Sequence, residues 1–143
     1  MANYYGVNKT KTLTPTGENI VSAGDLGGRV RVMYDSYEAA GEAAGSIIYM
    51  GQKLPVGARV LEVILAHDAV GSATIKVGDI DDDDRYIAAS SVSSAGILGM
   101  DEAALVDGLG YEVDGDNDQD IILTTASAAI TGTLKLIVYY VVD

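Results

Sequence analysis

Five acids fall within six consecutive positions at Asp79-Ile80-Asp81-Asp82-Asp83-Asp84, and four more alternate through Asp114, Asp116, Asp118 and Asp120. Their oxygens could hold a calcium ion, or a pair of them could serve as general acid and base. Calcium wants six to eight hard oxygens at about 2.4 Å. The second run opens like the calcium loop of a helix–loop–helix site, but Gln119 stands where the sharp turn needs Gly and Thr125 where the bidentate Glu belongs. In the first run, Asp81–Asp84 on a strand would point alternately to opposite sides and could not face one ion. In a turn they would converge, with Arg85 beside them as counter-charge. The expectation is a tight turn whose acids stay in water, with no metal site and no cofactor.

Catalysis by paired carboxylates needs two acids in environments that push their pKa values apart, and runs of exposed Asp are all equally wet. Ser-His-Asp chemistry would have to use His67, the sole histidine, which sits beside Asp68 at the end of an apolar strand; no G-x-S-x-G is present. Neither G-x-x-x-x-G-K nor G-x-G-x-x-G occurs between a strand and a helix. No catalytic residue is assigned, and the chain reads as a non-enzyme.

The elements that carry these residues read as strands. RVRVMY places Val30, Val32 and Tyr34 on one face and Arg29, Arg31 and Met33 on the other, the alternation of a half-buried strand. YEAAGEAAG (37–45) reads as a loop or one helical turn, because two Gly break any helix. SIIYM is a strand, LPVG a turn, and ARVLEVILAHDA, apolar on both faces, a central strand covered on both sides. ATIKV alternates with Ala73, Ile75 and Val77 inward. RYIAAS, YEV, DIILTT and TLKLIVYYVV complete the set, the last with Leu134, Leu136, Val138, Tyr140 and Val142 on one face. Asp101 could cap a short helical turn through Val106. About eight short strands between Gly, Asp, Ser and Pro turns predict an all-β fold, an antiparallel β-sandwich of jelly-roll type. The expected organisation is an extended N-terminal arm over 1–28, with at most one short strand, and a sandwich domain over 29–143.

The chain has 143 residues with nine Tyr, 17 Gly and no Phe, Trp or Cys, so neither a disulfide framework nor a thiolate site is available. No secretory signal opens the sequence, and no apolar run reaches membrane-spanning length, so a soluble protein made in a cytoplasm is expected. Net charge is −12, split as +2 over residues 1–34 and −14 over the remainder. An acidic body repels phosphate backbones, which argues against nucleic acid as a partner. The mildly basic leading segment could dock on an acidic surface, and ordinary scatter gives the same count. Tyr34, Tyr49 and one of Tyr139 and Tyr140 are expected in the core, since no other aromatic is available to fill it. Tyr4 and Tyr5 lie in the polar arm and read as an anchor that orders on docking.

MANYYGVNKTKT, RVRVMYDSYEAAGEAAGSIIYMGQKLPVGARVLEVILAHDA and GSATIKVGDIDDDDRYIAA together resemble small structural proteins of tailed bacteriophages, of the capsid decoration (cement) type. The resemblance covers most of residues 1–90. It implies a virion component that binds the major capsid protein on the outside of the assembled shell, often as a homotrimer near three-fold positions. Arm residues Tyr4, Tyr5, Lys9 and Lys11 are the candidate partner contacts. The alternatives are another virion position (head–tail connector, tail tube, tail-tip adhesin) and a calcium-assisted carbohydrate-binding sandwich.

Overall fold

Side-chain alternation along the strands dictates two layers with one core between them. The computed structural model describes residues 2–23, 25–100 and 105–142. In chain order the elements are α1 (Val7–Leu13), β1 (Val30–Glu42), β2 (Ile47–Leu54), β3 (Arg59–His67), β4 (Thr74–Gly78), β5 (Ile87–Ser91), β6 (Gly96–Gly99), α2 (Leu105–Gly108), β7 (Gln119–Ala126) and β8 (Ile130–Val141). The strands form two antiparallel four-stranded sheets ordered β1-β8-β3-β6 and β2-β7-β4-β5. All connections except β4–β5 pass from one sheet to the other, which is the jelly-roll arrangement.

The core lies between the sheets. Val63, Leu65, Leu134, Leu136 and Val138 from the first sheet meet Ile75, Val77, Ile121 and Leu123 from the second, all fully buried. Burying each such side chain contributes about 1.5–3 kcal/mol. Thr74 and Lys76 face away as their alternation predicts, and Tyr140 packs against the core while Tyr139 does not.

Several sequence expectations fail. In β1 it is Met33 that is buried, while Val30, Val32 and Tyr34 are 62, 60 and 58% exposed. Register fixes this, because Met33 lies opposite the inward Val138 and Tyr34 opposite the outward Ile137. Tyr49 is also exposed; the aromatic that fills the core is Tyr86, with no accessible surface. The expected loop at 37–45 is largely strand. Its first Gly, Gly41, takes φ 109° at a β-bulge, and the Glu42 carboxylate there accepts the Ala40 N–H (2.7 Å) and the Tyr37 hydroxyl (2.7 Å). β3 carries a bulge at Leu61, so Val60, Val63 and Leu65 face the core and Ile64 faces outward, half-buried and not covered. The Tyr111-Glu112-Val113 stretch makes one isolated bridge, Arg59 to Glu112, and no strand. β6 arises in a Gly- and Ala-rich stretch where no strand was expected. The N-terminal segment holds a helix, α1, where a strand at most was expected. Asp101, the expected helix cap, lies outside the described residues.

Candidate functional site

Two surfaces are distinctive, one polar on the second sheet and one apolar on the first. The polar surface is built by the acid turn between β4 and β5. Val77 and Ile87 pair across the sheet, so the intervening residues must turn back on themselves. Asp79 organises that turn. Its Oδ1 accepts the N–H groups of Asp81 (3.0 Å) and Asp82 (3.0 Å), and its Oδ2 takes the Arg85 Nε–H at 2.5 Å. Asp79 itself is fully buried, so the expectation that all these acids stay in water fails at this position. Gly78 permits the turn, since a Cβ there would overlap the Asp82 carbonyl oxygen folded over it.

The Arg85 guanidinium lies 3.9 Å from the centroid of the Tyr111 ring, and Tyr111 meets Tyr86 edge-on at 6.4 Å. Burial lowers the pKa of Arg85, but its hydrogen bond and charge contact with Asp79 more than offset this. Burial drives the Tyr86 phenol far above its ordinary value, so this tyrosine stays neutral.

Tertiary folding brings the second acid run to the same place. Gln119 Nε2 donates to Asp81 Oδ2 at 3.0 Å, which links the runs. Asp118 Oδ1 accepts the Val56 N–H at 3.0 Å, and Asp120 pairs with Lys53 at 3.7 Å. Between the runs opens a cleft of about 320 Å³ with Tyr49 and Lys53 on its wall.

Within the first run, carboxylate oxygens of Asp82, Asp83 and Asp84 lie within 4.8 Å of one another. Three oxygens are half or fewer of what calcium requires. Asp83 is already paired with Lys76 at 2.6 Å, and a hydrogen bond from the protonated Asp84 carboxyl to Asp82 raises the Asp84 pKa. Asp79 is the sole fully buried acid among the described residues, and its ion pair and backbone donors commit both its oxygens to the fold. Sequence reasoning missed Asp79 because a buried and an exposed Asp look alike in a run; its offset of six residues from Arg85 was the available signal.

His67 is nearly buried at the end of β3, with Nδ1 2.8 Å from the Asp68 carbonyl oxygen. It sits on β3 between β8 and β6, inside the sheet.

The apolar surface is the outer face of the first sheet. Val30, Val32 and Tyr34 of β1 lie opposite Val141, Tyr139 and Ile137 of β8. Ile64 of β3 continues the row, and Ile97 of β6, 73% exposed, closes the far side. The N-terminal segment leaves from one end of this face. Asp25 pairs with Arg59 Nε at 2.5 Å, and Arg59 also binds Glu112 (2.6 Å) and the Gly110 carbonyl oxygen (2.7 Å).

Of the expected arm contacts, Tyr4 and Tyr5 precede α1 and are 91 and 56% exposed. Lys9 and Lys11 lie on α1, where a spacing of two puts them on different sides. Lys9 borders an apolar cleft with Val21, Asp25 and Leu26, and α1 buries none of its residues. Among the described residues, no helix is long and apolar enough to cross a membrane.

No protein-family description matches the chain, and no curated protein is significantly similar to it in sequence. Solved structures are informative. A chain of the cyanophage Pam1 capsid asymmetric unit superposes with a TM-score of 0.65 and 26% identity over 82% of this chain and 88% of that one. A chain of the Ralstonia phage GP4 capsid superposes with a TM-score of 0.62 and 23% identity over 89% of this chain and 93% of that one, a likeness of fold. In its eight-stranded sandwich, and against the Pam1 chain in sequence as well, this polypeptide is similar to phage structural proteins found in assembled capsids.

Proposed function

We propose that the chain is a non-enzymatic virion protein that binds the major capsid protein on the outer surface of an assembled phage shell and stabilises that shell as a homotrimer. The likeness to the Pam1 capsid chain, in fold and sequence over most of both chains, carries this reading. Charge supports an exterior position: a body with net charge −12 is repelled by packaged DNA and tolerated on the outside. The exposed Tyr4 and Tyr5, with Lys9 and Lys11 behind them, form the docking arm. One arm makes a small contact, and three arms on a trimer multiply it through effective concentration. Binding only the assembled lattice stabilises that lattice by linkage, with no turnover required.

The test mixes purified protein with bare heads and images the particles. Density at repeated positions over the head, together with loss of co-sedimentation when residues 2–17 are deleted, is expected. Rings or tubes of subunits without head density would assign another virion position, and undiminished sedimentation of the deleted form would remove the arm from the docking contact.

A further inference from the structure

We propose that the outer face of the β1-β8-β3-β6 sheet is the surface through which copies of this chain bind one another. The proposal rests on the oligomeric reading above and names the surface it uses. Val30, Val32, Tyr34, Ile137, Tyr139 and Ile97 form one apolar field across the sheet, and four of them are more than half exposed. Monomeric proteins rarely leave a contiguous apolar field of several hundred Å² open to water.

Charge selects a second copy as the occupant. The acid runs, Asp79 with Asp81–Asp84 and Asp114 to Asp120, belong to the opposite sheet. Two copies of net charge −12 therefore approach with least repulsion through the first sheet. On that face Lys135 stands with Glu38 and Glu62, and Arg59 at its end is already paired with Asp25 and Glu112, so it carries few charges beside the dense acid runs of the other sheet. The arm also leaves from the Arg59 end of the face through the Asp25 ion pair. Packing copies at this face gathers their arms at one end, the arrangement that multivalent docking needs.

Sedimentation equilibrium of the full-length protein at micromolar concentrations tests the surface, with Val32→Asp and Ile97→Asp as separate variants and Ile80→Asp, exposed on the acid turn, as control. Parent and control are expected to associate, and each face variant to dissociate with self-affinity reduced about tenfold or more, because an unpaired charge then enters an apolar contact. Both positions are exposed, so far-UV circular dichroism should match the parent, while melting falls only by the stabilisation that association supplies; should one variant misfold, the other decides. A monomeric parent, or variants that still associate, would overturn the proposal. Co-sedimentation with heads separates it from the docking reading. A monomeric variant that still binds heads, more weakly, supports both. A monomeric parent whose head binding is abolished by Val32→Asp assigns the face to the capsid protein and overturns self-association.

Discussion

Asp79 shows how a single side chain converts a repulsive run of acids into a defined turn. It takes two backbone N–H groups and the Arg85 guanidinium while fully buried, and Arg85 is held in turn against Tyr111. Asp79→Ala removes the centre of this arrangement and strands a largely buried cation with two donors. The expected loss is about 3 kcal/mol, the scale for breaking a buried pair, read as a lower urea midpoint. A loss below about 0.5 kcal/mol, typical of surface changes, would show that the pair does not hold the turn. The pairing was only half legible. Arg85 stood out as the counter-charge, but which acid it would serve depended on the register of β4 and β5.

At the scale of the element, the acid turn retains charge strain that the buried pair does not relieve. Asp84 accumulates it, its carboxyl raised by the hydrogen bond with Asp82 and by the nearby charges of Asp82 and Asp83. A carboxyl whose folded pKa lies above its unfolded value holds its proton more tightly in the fold. Its contribution is therefore most favourable below the unfolded pKa and is lost as pH rises through the folded pKa. Asp84→Asn is expected to raise the melting temperature slightly at neutral pH, with the gain vanishing as pH falls through the carboxylate range. Thermal melts of parent and variant at about pH 7 and pH 4 check the sign; a gain that grows on acidification would refute it. Among the strands, β4 and β8 were legible because alternation and inward face agree. β1 was not, since both its faces carry apolar residues and a period of two cannot say which one meets the core. Its pairing with β8 decides, and leaves Val32 and Tyr34 outside.

For the whole molecule, a net charge of −12 on 143 residues opposes compaction. Raising NaCl from about 0.02 M to 0.5 M shortens the screening length several-fold and is expected to raise Tm by a few degrees. The buried Asp79–Arg85 pair should be little affected. A fall in Tm with salt would instead mean that surface pairs such as Lys76–Asp83 outweigh the repulsion. Sandwich class and net charge were determined by the sequence alone, because they follow from local alternation, turn residues and composition; the total of about eight strands was also right, although YEV stood in that total where β6 belongs. Tertiary structure decided that two acid runs some 30 residues apart share one cleft, that one acid among them is dry, and that an apolar field faces outward on the first sheet. Those outcomes depend on which strands pair and in what register, a property of long-range contacts that a linear pattern does not encode.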